Sequence, residues 1–359
     1  MTGVDAGAHV PVSADIGALW DAVIGGDEYT ATDVVLAALD RGVAAEAVLL
    51  DVIGAVQRRV GAEWAANRID VAHEHTATAI NERAVAAVAQ RTRVEPTGPR
   101  IAVACVDGEW HALPARLLSE VLRLRGFRVD YLGAQVPTPH LVGHLHRTAP
   151  DAVALSGSIV TRLPAAHATI TACGATGVPV IAGGAAFGVD GRHATRLGAQ
   201  AWAPDARSAA DLLAAGPLPR RAADAQPSDD LPHLVDQEYT MVSRTTPTLV
   251  KAVYTGLERR IPAMAGYTDR QRLHTAEDLE HVVTFLATAL YLDDVTVLHD
   301  FLAWTGAVLD ARGVPAMVLD PALELLLDEL HDFTRAAGML TAARARLREA
   351  ATTPPAATA

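Results

Sequence analysis

IAVACVDGEWHALP, residues 101–114, runs six apolar residues into a glycine turn and then sets an acid and an imidazole two positions apart. A short apolar run of this kind reads as a buried strand, 101–106, with the following residues forming the loop into a helix. The same rhythm returns at FRVDYL (127–132), DAVALS (151–156), VPVIAG (178–183) and AQAWAP (199–204), each separated from the next by chain enough for a helix. Five such β/α alternations predict a doubly wound, five-stranded parallel sheet over residues 98–216. Ligands of such sheets bind outside the carboxyl ends of the strands. VDGEWHALP follows the first strand, GSIVT the third and GGAAFG the fourth, so all three belong to one ligand-facing edge.

Upstream, residues 12–93 read as four helices, a bundle occupying 1–95. Ser13 is expected to cap ADIGALWDAVIG, Gly42 to stop TATDVVLAALDRG, and Asp70 to cap VAHEHTATAINERAVAAVAQ. EPTGP (95–99) breaks the pattern. Downstream, the Pro- and Asp-rich stretch 217–234 reads as a linker, and 235–350 as an all-α domain. There Thr275 is expected to cap AEDLEHVVTFLATALYL, Gly313 to stop the next helix, and Asp320–Pro321 to open a last one ended by Gly338. The tail, 351–359, is expected to be disordered.

The 359 residues carry a formal charge of −12 and no run of Lys or Arg, which argues against a phosphate-binding face. No apolar run reaches the ~18 residues of a membrane span, and the N-terminus has no secretory pattern. The two cysteines, Cys105 and Cys173, fall in apolar and alanine-rich segments and read as reduced, buried thiols. A cytoplasmic protein without a membrane partner is expected.

A histidine at a sheet's ligand edge can coordinate a metal through one ring nitrogen, while a carboxylate two residues earlier takes the other N–H and fixes the tautomer. Glu109 and His111 have that spacing. Ser156–Gly157 and Gly183–Gly184 recur at matched strand ends, where glycine lets something large approach the backbone. A four-helix bundle followed by strand, E-x-H and helix, then SG and GG, resembles a cobalamin-binding module of flavodoxin/Rossmann-like fold. The resemblance implies His111 as lower axial cobalt ligand, Glu109 as its hydrogen-bond partner, Ser156 against the cofactor's base, and Gly157, Gly183 and Gly184 around its tail. Two positions depart from the family's D-x-H-x-x-G: Glu109 replaces Asp, and Pro114 replaces the final Gly. Ser156-Gly157-Ser158 stands for the usual S-x-L, a more polar tail pocket.

The bundle's EWAANRIDVAHEH (63–75) places Trp64 before a short turn and Glu74 and His75 after it. Such a turn can set all three over one spot, a wide π-surface beside hydrogen-bond acceptors. The spacing W-x9-EH is similar to that of light-sensing, adenosylcobalamin-dependent repressors, which implies that the three residues cap the upper face of adenosylcobalamin. In those proteins a His beside the Trp caps cobalt after photolysis; here Ala65 takes that position, and His73 and His75 are the nearby imidazoles. The repressors carry an N-terminal DNA-binding segment for which the chain ahead of the bundle leaves no room, so DNA is not expected as a partner.

In the C-terminal domain Arg270, Arg272 and His274 crowd one region, and His281, His299 and Trp304 follow on helices. Arginines suit propionates through bidentate pairing. A light-sensor-like cobalamin module joined to a globin- or phycobilin-like helical domain resembles the photocobilins, which implies a second chromophore, biliverdin. Since no cysteine follows Cys173, it would be held non-covalently, by Arg270 or Arg272 at the propionates and His274 or His281 at the pyrroles. The expected protein is thus a dual-chromophore photoreceptor rather than an enzyme, a homo-oligomer (dimer or tetramer) signalling to a downstream partner. The competing readings are a corrinoid carrier for a methyltransferase or mutase, a cobalamin/haem sensor with His281 or His299 as axial ligand, and a helical domain that only dimerises.

Overall fold

The computed structural model describes residues 11–220 and 231–352. The first apolar run, at 101–106, becomes β1 (Arg100–Cys105), the second of five parallel strands in the order β2-β1-β3-β4-β5. The others are β2 (Arg128–Gly133), β3 (Ala152–Ser156), β4 (Val180–Gly183) and β5 (Ala201–Ala203). Strand order reverses between β1 and β3, so the crevice beyond their carboxyl ends is the place where such sheets take ligands. Every residue of β3 and all but the first of β1 are buried, as expected of a parallel sheet covered on both faces.

The chain divides into two compact units, Met1–Ala225 and Gln226–Ala359. Unit 1 opens with helices α1 (Ser13–Ile24), α2 (Glu28–Asp40), α3 (45–65) and α4 (Val71–Arg91). The middle of α3, Val48–Ile53, is wound wider, and the Gly54 N–H reaches back five residues to the Leu49 carbonyl. Leu19, Val35, Leu49, Ile53, Val56 and Val85 are wholly buried, and they share one cluster with Ile101, Val103, Leu122 and Leu213 of the sheet layer. Helices α5 (Leu113–Leu124), α6 (Thr138–Thr148), α7 (Leu163–Ala175), α8 (Arg192–Arg196) and α9 (Ala206–Ala214) accompany the strands. Ion pairs strap α3 to this layer: Arg207 reaches Asp51 at 2.6 Å and Glu46 at 3.0 Å, and Arg125 pairs with Glu46 and Asp211.

Asp70 caps α4 as expected, accepting from the His73 N–H at 2.9 Å. Ser13 does not cap α1. The first intrahelical bond runs to the Val12 carbonyl, so Val12 is the capping position and its side chain offers no acceptor.

Unit 2 is helical throughout its described residues: α10 (Glu238–Arg260), α11 (Asp269–Leu292), α12 (Thr296–Ala311), α13 (Asp320–Glu329) and α14 (Thr334–Thr352). Phe285 and Phe301 stack across α11 and α12 with ring centres 3.8 Å apart. Two sequence expectations need correction. Thr275 lies inside α11, donating to the Gln271 carbonyl at 2.8 Å. The cap is Thr268, in a reciprocal capping box with Gln271. Gly338 ends nothing: it lies within α14, and the break falls at residues 330–333. Glu238, from the start of α10, explains that break, because its carboxylate accepts from the Arg335 and Ala336 N–H groups at 3.0 and 2.8 Å and caps α14 from 97 residues away. Glu238→Ala is expected to destabilise unit 2 by about 2 kcal/mol, read as a lower urea midpoint for that unit; an unchanged midpoint would contradict this role. Of the expected linker 217–234, residues 221–230 lie outside the described residues, and Pro232–Asp236 forms one short helical turn. Of the tail expected to be disordered, 351–352 belong to α14 and 353–359 lie outside the described residues.

No described helix is long and apolar enough to cross a membrane. Cys105 and Cys173 are both buried and unpaired, and burial pushes each thiol up to about 12.

Candidate functional site

The loop after β1 is organised around one carboxylate. Glu109 has no exposed surface. Its Oε1 accepts from the His111 backbone N–H at 2.9 Å and lies 2.6 Å from His111 Nδ1. Its Oε2 accepts from the Ser158 and Ile159 N–H groups, at 2.8 and 2.9 Å, in the loop after β3. Burial alone would push this carboxyl up, but the His111 ring and then these backbone donors overcome it and hold Glu109 at about 2. The ionised carboxylate therefore spans the switch-point crevice and takes the Nδ1 proton. That tautomer leaves the Nε2 of a partly exposed ring with a lone pair that can coordinate a metal. Gly108, at φ +75, makes the turn into this loop, and the Arg162 guanidinium lies 3.1 Å from where a side-chain carbon would start.

The bundle meets the same place. Residues 66–70 form a tight turn in which Asn67, at φ +57, donates to the Trp64 carbonyl at 2.9 Å. The half-buried Trp64 ends α3 just before this turn, and Glu74 and His75 lie in the first turns of α4. There Glu74 Oε2 sits 2.7 Å from His75 Nδ1. The His75 ring lies 6.5 Å from that of Trp110, which in turn packs 4.3 Å from the His111 ring. Three rings thus run in series from the bundle to the sheet. His73, the other nearby imidazole, is held by its capping partner Asp70 at 2.7 Å.

Beyond β3 and β4 the loops close on each other. The Gly157 N–H donates to the Gly183 carbonyl at 3.0 Å, and the Gly157 carbonyl accepts from Ala186 at 3.1 Å. Gly184, at φ +100, brings its α-carbon so near that an added carbon would lie 2.3 Å from the Gly157 oxygen. Ser156 is buried at the end of β3, and Phe187 packs over Gly157. In the structure these glycines serve loop-on-loop contact.

In unit 2, Arg270 and His274 meet on the exposed face of α11, Nε to Nε2 at 3.2 Å, and His281 is exposed further along that helix. Arg272 is engaged elsewhere, donating to the Tyr267 and Ala265 carbonyls and pairing with Glu258 at 3.2 Å. Tyr254 Oη and His299 Nε2 are buried without a hydrogen-bond partner in the described structure, and burial, then Arg346, holds His299 below the usual imidazole range.

Sequence reasoning missed Trp110 as a ring bridging the two sides, Arg162 beside Gly108, and a polar row on the core side of the bundle. Thr78 donates to Glu74 Oε1 at 2.9 Å, Gln57 donates to Thr78 at 2.7 Å, and Asn81 donates to Gln57 at 2.7 Å. The signal was present: Glu74, Thr78 and Asn81 fall at i, i+4 and i+7, the periodicity of one helix face.

Residues 99–213 match a family model described as a B12 binding domain, and residues 16–89 match a second model of the same description. Fold and matches together define unit 1 as a cobalamin-binding module. Over 122 residues the chain is 35% identical to the HTH-type transcriptional repressor CarA of Myxococcus xanthus, a match covering 33% of this chain and 41% of that protein. The chain therefore matches less than half the length of this curated relative. The monomethylamine corrinoid protein of Methanosarcina barkeri superposes with a TM-score of 0.50 at 19% identity, over 56% of this chain and 98% of that one, a likeness of fold. The CarA match corrects one expectation: DNA cannot be set aside as a partner on the length of chain before the bundle, since this relative is by name a transcriptional repressor. The homo-oligomer expected alongside finds no support in the comparisons.

The donor chemistry fits a corrinoid. One imidazole nitrogen is too little to hold a bare cation, and it suits a metal whose other ligands arrive in a macrocycle.

Proposed function

We propose that unit 1 binds cobalamin with His111 Nε2 as the lower axial ligand in place of the cofactor's own base, and that the chain is a cytoplasmic light sensor using adenosylcobalamin. Glu109 holds the His111 tautomer. Trp64, Glu74 and His75 cap the upper face, and Ser156, Gly157, Gly183 and Gly184 receive the base and tail. In this reading residues 1–95 are the cap, 98–216 the binding domain, 217–234 the linker and 235–350 a globin- or phycobilin-like domain for a second chromophore. The observation that carries the reading is the buried Glu109 carboxylate paired with Nδ1 of His111. The W-x9-EH spacing, similar to that of light-sensing adenosylcobalamin repressors, supports the choice of upper ligand. Bound adenosylcobalamin would supply a cobalt–carbon bond that visible light breaks. The chain's own part is to exclude water from that bond and to register its loss as a shift of the bundle over the sheet. Biliverdin is proposed for unit 2, non-covalently, with Arg270 or Arg272 on propionates and His274 or His281 on pyrroles. The buried, unpartnered Tyr254 Oη and His299 Nε2 support a ligand there.

The test is an absorption spectrum of protein loaded in the dark with adenosylcobalamin and biliverdin, repeated after blue-green and after red light. A retained corrinoid whose spectrum changes with light, beside a retained red band, is expected. A corrinoid that ignores light would remove the sensor reading, and loss of the red band on desalting would remove biliverdin. His111→Ala is expected to convert the corrinoid spectrum from the His-ligated form and to weaken retention by about tenfold or more. An unchanged spectrum in that variant would remove His111 as the ligand.

A further inference from the structure

The hydrogen bonds from Asn81 to Gln57, Gln57 to Thr78 and Thr78 to Glu74 form a chain whose donors all point the same way. It begins in the bundle core and ends on the carboxylate beside His75. Asn81 has no exposed surface, and its neighbours on the core face of α4 are Ala77, Ile80, Ala84, Val85 and Val88, all apolar and buried. Its Oδ1 is buried without a partner. An amide there is a poor choice for packing, because an apolar side chain would leave no polar atom unsatisfied. Reversing both amides would pair Oδ1 with Gln57 but leave Asn81 Nδ2 in the partnerless position, and Gln57 would then take the Thr78 hydroxyl proton, so Glu74 would lose its donor. Either orientation leaves one Asn81 atom orphaned in the core, and only the one found gives Glu74 a donor.

We propose that Gln57, Thr78 and Asn81 are positioning residues that hold Glu74 ready for an upper ligand bearing hydroxyl groups, so that the bundle selects a nucleoside-type upper ligand over a methyl group. The proposal rests on the cobalamin reading of unit 1. Thr78 takes one lone pair on Oε1 and His75 faces Oε2, which leaves acceptor sites on both oxygens. Two neighbouring hydroxyls of a sugar can fill those sites. A methyl group offers no donor, so Glu74 gains nothing from it. Aligned donors strengthen one another in a low-dielectric interior, so removing any link weakens the terminal bond.

The experiment measures dark dissociation constants of adenosylcobalamin and methylcobalamin for the wild type, Thr78→Val, Thr78→Ser and Asn81→Leu, with the thermal midpoint of each apo-protein. The wild type is expected to prefer adenosylcobalamin. Thr78→Val should cut that preference about tenfold, equivalent to about 1.4 kcal/mol, by weakening adenosylcobalamin alone, and Thr78→Ser should restore it. Asn81→Leu should raise the apo midpoint by a few degrees while cutting the preference two- to threefold, a combination that a structural role does not produce. Equal weakening of both corrinoids in Thr78→Val, or a preference unchanged in both Thr78→Val and Asn81→Leu, overturns the proposal while leaving the cobalamin reading in place. A wild type that binds neither corrinoid overturns both.

Discussion

Glu109→Ala is expected to lower corrinoid affinity by roughly 10–100-fold and to destabilise unit 1 by about 3–5 kcal/mol. The first effect follows from His111: without the carboxylate its ring loses the partner at 2.6 Å that fixes tautomer and direction. The second follows from three backbone N–H groups, those of His111, Ser158 and Ile159, left without their acceptor. The pH dependence carries the same signature. Glu109 titrates at about 2 in the folded protein against an ordinary 4.5, so its folded pKa is depressed. Its contribution, about 3 kcal/mol, is fully present above pH 4.5 and is lost as pH falls from there towards 2. Urea midpoints of unit 1 measured across that range should fall more steeply for the wild type than for the variant. Parallel slopes would show that the carboxylate is not held in this way.

Gly184→Ala is expected to cost about 2–6 kcal/mol, two separate penalties of about 1–3 each. At φ +100 and ψ 164 the backbone lies where a side chain is strained whatever surrounds it. The added carbon would also lie 2.3 Å from the Gly157 oxygen, a backbone atom that cannot swing aside. Gly177→Ala provides the control. Its φ is +77, but nothing lies within 4 Å of the added carbon, so only conformational strain of about 1–2 kcal/mol applies. Equal unfolding midpoints for the two variants would mean that the loops after β3 and β4 separate easily. A much larger loss for Gly184→Ala, with loss of corrinoid retention, is the result expected.

The sheet was legible because each strand is a local apolar run between turn signals, and a parallel sheet makes those runs continuous. The pairing of Glu109 with His111 was legible for the same reason, since the two are neighbours in sequence. What stayed hidden was non-local. Nothing near Glu109 announces that its second oxygen is held by residues 49 and 50 positions later, nor does anything near Arg335 announce a cap supplied by Glu238. Gly183–Gly184 read as room for a ligand, and what the sequence did not show is that Gly184 also brings the loops after β3 and β4 together. Thr268–Gln271 was a readable capping box passed over for Thr275, and Gly338 was a false stop, because glycine on an open helix face with nothing within 4 Å is tolerated. Arg272 read as a binding arginine from its company, and its partners Tyr267, Ala265 and Glu258 were not legible there.

The wide turn at Val48–Ile53 gives α3 a property that composition does not show. In an α-helix each residue advances the chain by about 100°, so a segment closed by i→i+5 bonds acts as a phase adjuster between the helical turns on its two sides. Leu49 and Ile53 stay seated in the common core, while Gln57 is turned onto Thr78 and α3 runs on to Trp64. Under the proposed function, chain length ahead of Gln57, more than the identity of any residue there, would set the aim of the upper face. A single-residue insertion or deletion between 48 and 53 would therefore re-aim that face without changing one of its side chains, a route by which such a module could change its upper ligand while keeping the sheet, the Glu109–His111 pair and the core intact.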